Sequence, residues 1–385
     1  MKKVKIIRSS TVALSLNYLL KGQLRFLNQY FEIVAVSGSG SDLDEVQRRE
    51  DVRVIPVKME RKISVFKDIV SFFNLYFTFI REKPLIVHSI TPKAGLLSMS
   101  AAYFAGVPIR MHTFTGLIFP THTGFKRRIL IGMDKLLCLF ASKIYPEGQG
   151  VKNDLVKYGI TNKPLKILAN GNVNGINPDY FNPEKFNEEQ NESLRSSLNI
   201  LKDEMLFIFV GRLVRDKGVN ELVAGFKKCN ADFPQVKLLL LGLTEDDLDP
   251  LYPETIEEIK NNKSIIAAGF VTDVRAYLAI SDVLILPSYR EGFPNVVLQA
   301  GAMGLPSIVT DINGSNEIIT NGENGLIIEV KNEKAIADAM ELLIRSPSII
   351  DSMKKNARKE IIERFTQEIV WDAILEEYNM EIRNV

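Results

Sequence analysis

The chain is poor in the residues that staple a protein or bind metal. It has two cysteines, Cys138 and Cys229, and three histidines, His88, His112 and His122, among 385 residues. Two distant thiols make neither a disulfide framework nor a zinc site, and they suit a reducing compartment. No two histidines stand four apart on a helix, so a metal centre built on them is not expected. Tryptophan occurs once, as Trp371. No stretch reaches about 18 uninterrupted apolar residues, so no membrane-spanning helix is expected. The opening Met1-Lys2-Lys3-Val4-Lys5-Ile6-Ile7-Arg8 is basic, but its apolar core is too short for a signal peptide and is expected to be a first strand.

Net charge is scarce as well, at +1, but that total hides an asymmetry. Residues 1–180 hold 26 Lys and Arg against 13 Asp and Glu, and the remainder holds 22 against 34. Such a split suggests two domains with different partners. The basic half should prefer an anionic surface. A length of 385 residues is comfortable for two domains, and 46% apolar with 25% charged residues is an ordinary globular composition.

Apolar runs alternate with helical patterns along the whole chain. In the first half, strands are expected at Val4–Ile7, Glu32–Ser37, Val52–Pro56, Ile86–His88, Ile109–Thr113, Lys143–Tyr145 and Leu165–Ala169. Helical patterns lie between them at Leu14–Leu27, Ser64–Arg81, Ala94–Ala105 and Lys126–Phe140. The second half repeats the rhythm with strands at Met205–Val210, Val236–Gly242, Ser264–Gly269, Val283–Pro287, Ser307–Thr310 and Gly325–Glu329. This alternation predicts an α/β protein of two Rossmann-like, doubly wound parallel-sheet domains facing across a cleft. The polar stretch from Asn182 to Lys202 is a candidate linker, and ligands in such sheets bind beyond the carboxyl ends of the strands.

Two strand ends concentrate chemistry. Gly211-Arg212-Leu213-Val214-Arg215-Asp216-Lys217-Gly218 follows the Met205–Val210 run. Gly211 permits a tight turn, while Arg212 and Lys217 put two cations where a diphosphate would lie, the first as a fork and the second as a point charge. Taken alone, this stretch is equally well a solvated turn. Roughly eighty residues on, Glu291-Gly292-Phe293-Pro294-Asn295-Val296 follows another strand and opens a helix. Pro294 costs little there, and the free N–H groups favour an anion. Glu291 is placed to accept hydrogen bonds from hydroxyls, and Gln299, further into the helix, can reach another polyol.

With these motifs the chain resembles the retaining GT-B glycosyltransferases of family 4. The matching residues include Gly211-Arg212-Leu213, Asp216-Lys217-Gly218, Gly269-Phe270-Val271, Asp273-Val274, Ser281-Asp282-Val283 and Pro287-Ser288. Glu291-Gly292-Phe293-Pro294-Asn295, Gly304-Leu305-Pro306 and Asn324-Gly325-Leu326 extend the match, as do Lys93-Ala94-Gly95, Asn170-Gly171, Asn174-Gly175 and Phe181 in the first half. Thr113-Phe114-Thr115-Gly116 and Asn172-Val173-Asn174-Gly175 suggest the bacterial members that build capsule, O-antigen or other surface polysaccharides on a lipid carrier. The resemblance implies an acceptor-binding domain over 1–181, with a C-terminal helix at about 366–385 packing back on it, and a nucleotide-sugar domain over 182–365. It implies that Arg212 and Lys217 neutralise the leaving diphosphate, that Glu291 touches the donor sugar or phosphate, that position 299 binds the ribose, and that the backbone at Phe270 and Val271 holds the base.

The chain departs from the family pattern in places. The family usually carries Glu-x7-Glu, and here the second member is Gln299, which can still donate to and accept from ribose hydroxyls. Many relatives place a histidine in the turn after the fifth strand. Here that turn holds Thr115 and Gly116, and His112 three residues earlier is the candidate for the site, with a packed strand histidine as the alternative. His122, in the loop Pro120-Thr121-His122-Thr123-Gly124, could move over the site. Ser9-Ser10-Thr11 lacks the usual glycines, and the Ser10 and Thr11 hydroxyls are assigned to the acceptor side with Thr115 and Gly116. Gly38-Ser39-Gly40 lacks the third glycine of a dinucleotide fingerprint and reads as a loop. Two stretches, one opened by Arg61-Lys62 and rich in phenylalanine, the other Ile129–Phe140 opened by Lys126-Arg127-Arg128, are either buried helices or a basic aromatic face for anionic lipid.

The expected activity is retaining, metal-independent transfer of a hexose or N-acetylhexosamine from a UDP-sugar to a lipid-diphosphate-linked saccharide. The expected protein is cytoplasmic and peripheral on the inner face of the cell membrane. Neither a cofactor, a metal nor a nucleic-acid partner is expected. The alternatives are a non-hydrolysing UDP-sugar epimerase of the same fold, or a catalytically weak nucleotide-sugar-binding partner subunit.

Overall fold

The apolar runs become strands buried on both faces, as parallel strands covered by helices must be. A computed structural model describes residues 3–60, 64–245 and 249–385. The chain divides into two units, Met1–Gly175 with Gln367–Val385, and Ile176–Thr366.

The first unit holds β1 (Lys5–Ser9), β2 (Glu32–Ser37), β3 (Arg53–Pro56), β4 (Ile86–Ile90), β5 (Ile109–Phe114) and β6 (Lys143–Pro146). They form a sheet in the order β3-β2-β1-β4-β5-β6, and every pairing is parallel. The order reverses between β1 and β4, so the loops after those strands flank the unit's switch point. The expected helix over Leu14–Leu27 is two helices, Ala13–Leu19 and Gln23–Asn28. Gly22 separates them at φ +83, and a Cβ there would lie 2.8 Å from the Trp371 ring. The expected strand at Leu165–Ala169 is not one. After a single bridge between Ile144 and Leu165, the chain turns through left-handed Ala169, Gly171 and Asn172, which a strand cannot accommodate.

The helix Gln367–Arg383 belongs to this unit and is bound to it by buried polar contacts. Arg8 of β1 donates to the Tyr378 hydroxyl at 2.8 Å, and that hydroxyl lies 2.6 Å from His88 Nδ1. Tyr145 donates to Glu377 at 2.9 Å, and Lys143 pairs with Glu381 at 2.6 Å.

The second unit holds β7 (Met205–Val210), β8 (Val236–Leu241), β9 (Ile265–Gly269), β10 (Val283–Leu286), β11 (Ser307–Thr310) and β12 (Gly325–Ile328). Their order is β12-β11-β10-β7-β8-β9, again parallel throughout, and it reverses between β7 and β10. The stretch expected as a linker from Asn182 is part of this unit, and the division falls earlier than 181, after Gly175. Ile176 N–H donates to Phe365 O at 2.8 Å, which ties the start of the unit to its end. Asn187 caps the helix Glu188–Ser197 through a capping box with Gln190. Arg195 of that helix donates to Ile280 O at 2.8 Å.

Candidate functional site

The second unit's switch point brings together the two loops singled out in the sequence. Gly218 makes the approach possible. It sits at φ +70, and a Cβ there would lie 2.0 Å from Pro287 O, so only glycine lets the loop after β7 lie against the end of β10. Asp216 then ties the loops together. Its carbonyl accepts Tyr289 N–H at 2.9 Å, and its carboxylate takes Arg290 Nε at 2.8 Å and Nη2 at 2.7 Å. The Asp216 N–H in turn donates to Asp249 Oδ2 at 2.7 Å.

On this frame Lys217 Nζ pairs with Glu291 Oε1, both side chains being largely buried. Arg212 is more open and pairs with Glu245. Each of the two cations therefore stands against a single carboxylate, and an incoming diphosphate would compete for both. The helix Asn295–Ala302 begins directly after Pro294. Its residues Val297, Leu298 and Ala300 face the core, while Asn295, Val296 and Gln299 are half-buried on the other side. The Gln299 side chain has no hydrogen-bond partner among the described residues. Gly314, at φ +75, packs under the start of this helix, where a Cβ would lie 2.3 Å from Gly292 O. The Phe293 ring turns inward, 5.4 Å from Phe365, so only its backbone can meet a ligand.

A groove of about 440 Å³ opens beyond the ends of β7, β8 and β9. Gly211, Arg212, Glu245, Phe270 and Val271 line it, and the Phe270 ring is 61% exposed. The structure thus unites Gly211 and Arg212 with Phe270 and Val271, and separately unites Lys217 with Glu291. Lys217, Glu291 and Gln299 are not part of the groove lining. Three residues that hold the site together carried no assigned role in the sequence reading: Asp216, Arg290 and Glu245. Opposite charges at two strand ends, Asp216 and Arg290, were the available signal.

Two assignments in the first unit are corrected. His112 is not at a site: it is fully buried, its Nδ1 lies 2.8 Å from Ser89 Oγ, and its ring stands edge-on to Phe114 at 4.6 Å. Gly95 closes over it, since a Cβ there would lie 2.5 Å from His112 Cε1. Burial pushes the imidazole pKa down to about 3, so the ring stays neutral. Ser10 is buried too, donating to Val12 O at 2.7 Å. Thr11 is buried as well, but it lies at the β1–β4 switch point, its Oγ1 2.9 Å from Thr91 Oγ1, and it lines a pocket with Gly116 and His122. Thr115 is half-buried beside that pocket's Gly116. Of the basic stretches, Arg61 and Lys62 fall outside the described residues. Among the described residues, no group of three or more His, Cys, Asp or Glu side chains is arranged to hold a metal.

Two six-stranded parallel sheets, one with paired cations and carboxylates at its switch point, make a two-unit α/β protein with a candidate anion site in its second unit. A model of the family described as glycosyl transferases group 1 matches residues 190–360. The chain is 33% identical over 386 residues, 98% of each chain, to the capsular polysaccharide biosynthesis glycosyltransferase CapM of Staphylococcus aureus. It is 30% identical, over 79% of this chain and 78% of the other, to a UDP-Gal:alpha-D-GlcNAc-diphosphoundecaprenol alpha-1,3-galactosyltransferase of Escherichia coli. Its fold matches that of HepE from Anabaena, solved with UDP, at a TM-score of 0.81 and 16% identity, over 99% of this chain and 100% of the other. The chain belongs to the group 1 glycosyltransferases and has the GT-B architecture.

Proposed function

We propose that this glycosyltransferase moves a hexose or N-acetylhexosamine from a UDP-sugar to a saccharide carried on a lipid diphosphate, with retention at the anomeric carbon and without a metal ion. The observation that carries the donor half is the meeting of Lys217 and Glu291 at the second unit's switch point. In the reaction Arg212 and Lys217 face the diphosphate as the glycosidic bond to it breaks. Fixed cations at a developing leaving-group charge are typically the largest source of rate in such a site. Two cations and the N–H groups of the helix Asn295–Ala302 supply the charge that a divalent ion would otherwise bring. Glu291, released from Lys217, accepts hydrogen bonds from the sugar hydroxyls. Gln299 binds the ribose, and Phe270 and Val271 line the base. The printed names of the relatives, a capsule-building transferase and an enzyme acting on a diphosphoundecaprenol acceptor, support the acceptor half.

The same reading places the protein on the inner face of the cell membrane. Among the described residues no helix is long and apolar enough to cross a membrane. The helix Val65–Glu82 nevertheless exposes Phe66 at 85% and Phe77 at 63%, and the helix Gly124–Phe140 exposes Phe125 at 77%. Lys126 and Arg128, which follow Phe125 in the same helix, are exposed as well. Exposed rings beside cations suit an anionic lipid surface.

The test is a transfer assay with a panel of UDP- and GDP-sugars and a synthetic lipid-diphosphate saccharide, run with and without chelator, the product anomer being read by NMR. Inverted product, a preference for GDP donors, or activity that chelator abolishes and Mg²⁺ restores would each sink the corresponding part of the reading.

A further inference from the structure

Arg8 is a buried cation with one hydrogen bond and, among the described residues, no counterion. The strand β1 carries it into the interior of the first unit, beside its register neighbour His88 on β4. It is 0% exposed. Its Nη1 donates to the Tyr378 hydroxyl at 2.8 Å, while Nε and Nη2 have no partner. A guanidinium offers donors only, and a charge taken out of water without an opposite charge is costly.

The hydrogens of the groups around it can be assigned one after another. The Tyr378 hydroxyl accepts from Arg8, and burial holds its pKa above the ordinary value, so it keeps its own hydrogen. That hydrogen is donated to His88 Nδ1, 2.6 Å away. Burial, and Arg8 beside it, hold the His88 pKa well below its ordinary value, so the ring carries a single proton. With Nδ1 accepting, that proton is on Nε2, which donates to Thr113 Oγ1 at 2.8 Å. The Thr113 hydroxyl has no other partner among the described residues, so its hydrogen is left over. Every donation therefore runs from Arg8 toward Thr113, and the chain ends without an acceptor.

Arg8, His88 and Thr113 line one cavity, of about 10 Å³, closed on another side by Ile374. That is room for one particle about the size of a water. A water accepts two hydrogen bonds, brings two hydrogens of its own that need acceptors, and carries no charge. A halide accepts from all three donor groups and neutralises the guanidinium. Glu147 is the one carboxylate in the lining, and it makes no ion pair with Arg8.

We propose that this cavity is a halide site, in which one chloride-sized anion accepts from Arg8 Nε, Arg8 Nη2 and Thr113 Oγ1. The site is separate from the sugar-transfer reading and does not rest on it. Ile374 and Tyr378 both belong to the helix Gln367–Arg383, so the bound ion fastens that helix to the sheet.

The experiment uses the full chain and bromide as the probe, with gluconate in its place at constant ionic strength as the reference. Crystals soaked in bromide should give an anomalous peak in the cavity, within hydrogen-bond reach of Arg8 and Thr113. In solution, bromide should raise the midpoint of urea unfolding followed by the fluorescence of Trp371, the chain's one tryptophan, which lies on the helix the ion fastens. Thr113→Val removes one donor and keeps the shape, so it should weaken bromide binding about tenfold, the scale of one hydrogen bond to a charged group. Comparing it with wild type also cancels the general effect of the salt. Arg8→Met should abolish the bromide dependence, and if that variant does not fold, Thr113→Val carries the test alone. A cavity that holds only water at saturating bromide overturns the proposal. So does a bromide dependence that Thr113→Val leaves unchanged. A peak confined to Arg212 and Lys217 overturns it as well, because the halide would then belong to the second unit. A cavity peak seen only at molar bromide, with no effect on unfolding, would be an adventitious ion only and overturns it too.

Discussion

Replacing Asp134 by Asn should make the first unit more stable at pH 8 than wild type, and less so at pH 5. Asp134 is buried in the helix Gly124–Phe140, and burial alone raises its pKa from 3.8 to about 7. The unfolded carboxyl loses its proton near pH 4, whereas the folded one keeps it until near pH 7. Between those values the native state holds an extra proton, so this group's contribution is fully present below about pH 4. It falls as pH rises and levels off above about pH 7. Three pKa units correspond to about 4 kcal/mol in total. At pH 5 only about a third of that has been lost, so the difference between Asn and Asp should grow by about 2–3 kcal/mol between pH 5 and pH 8. The assay is urea unfolding at the two pH values followed by Trp371 fluorescence. Trp371 reports the right unit: its Nε1 donates to Asn174 at 2.9 Å, and its ring lies 5.3 Å from Phe26. The other titrating groups that line a pocket with Asp134, namely Lys93, His122 and Lys126, are present in both proteins and cancel in the comparison. Parallel stability profiles for the two proteins would show that Asp134 is solvated or paired in solution, and would refute the burial argument.

Further outcomes follow from the second unit and the surface. Arg212→Ala or Lys217→Ala should each lower kcat/KM by about 10²-fold, the scale of one preorganised electrostatic contact, with the melting temperature little changed. Steady-state rates and a thermal melt check this. Gln299→Ala should raise donor KM by an amount worth about 0.5–1.5 kcal/mol, and Gln299→Glu should keep or improve it; unchanged KM in the Ala variant would make the position structural. Gly218→Ala should cost more than about 1–2 kcal/mol, because the left-handed backbone penalty adds to a 2.0 Å approach to Pro287 O, and denaturant unfolding of the second unit reads it. Vesicles of anionic lipid should sediment the protein at low salt and release it at about 0.5 M salt, and reversing Lys126, Arg127 and Arg128 to Glu should weaken the binding.

The parallel sheets were legible because strands buried on both faces leave nearly pure apolar runs, as in Met205–Val210. The loops after β7 and β10 were legible because glycine, proline and charge gather at strand ends. What sequence could not show was which neighbour closes over a residue. His112 lies three residues from a turn that holds Thr115 and Gly116, yet Gly95, from a helix earlier in the chain, seals it in. Ser10 looks like a loop hydroxyl until Ser37, from the next strand, is found 3.1 Å away. The stretch Leu165–Ala169 has the composition of a strand, but the left-handed residues that follow it end the pairing after one bridge. Asp134 was hidden for the opposite reason. As one of two charges in an apolar helix it was given no role, and it is the packing of that helix beside the helix Pro92–Phe104 that leaves its carboxyl buried.

The route of the chain sets an order of assembly. The second unit is one uninterrupted piece, Ile176–Thr366, whereas the first is written in two parts with that whole piece between them. A ribosome therefore completes the second unit before it has made the helix Gln367–Arg383. Until then the nascent first unit waits with Arg8, His88 and Tyr145 lacking Tyr378 and Glu377, and with Lys143 lacking Glu381. Buried polar groups without partners are costly, so the segment made first is the one that matures last. Cutting the chain at a single point between the halves would consequently yield one self-sufficient fragment and one incomplete one. Adding the last nineteen residues back as a separate peptide should be enough to complete it.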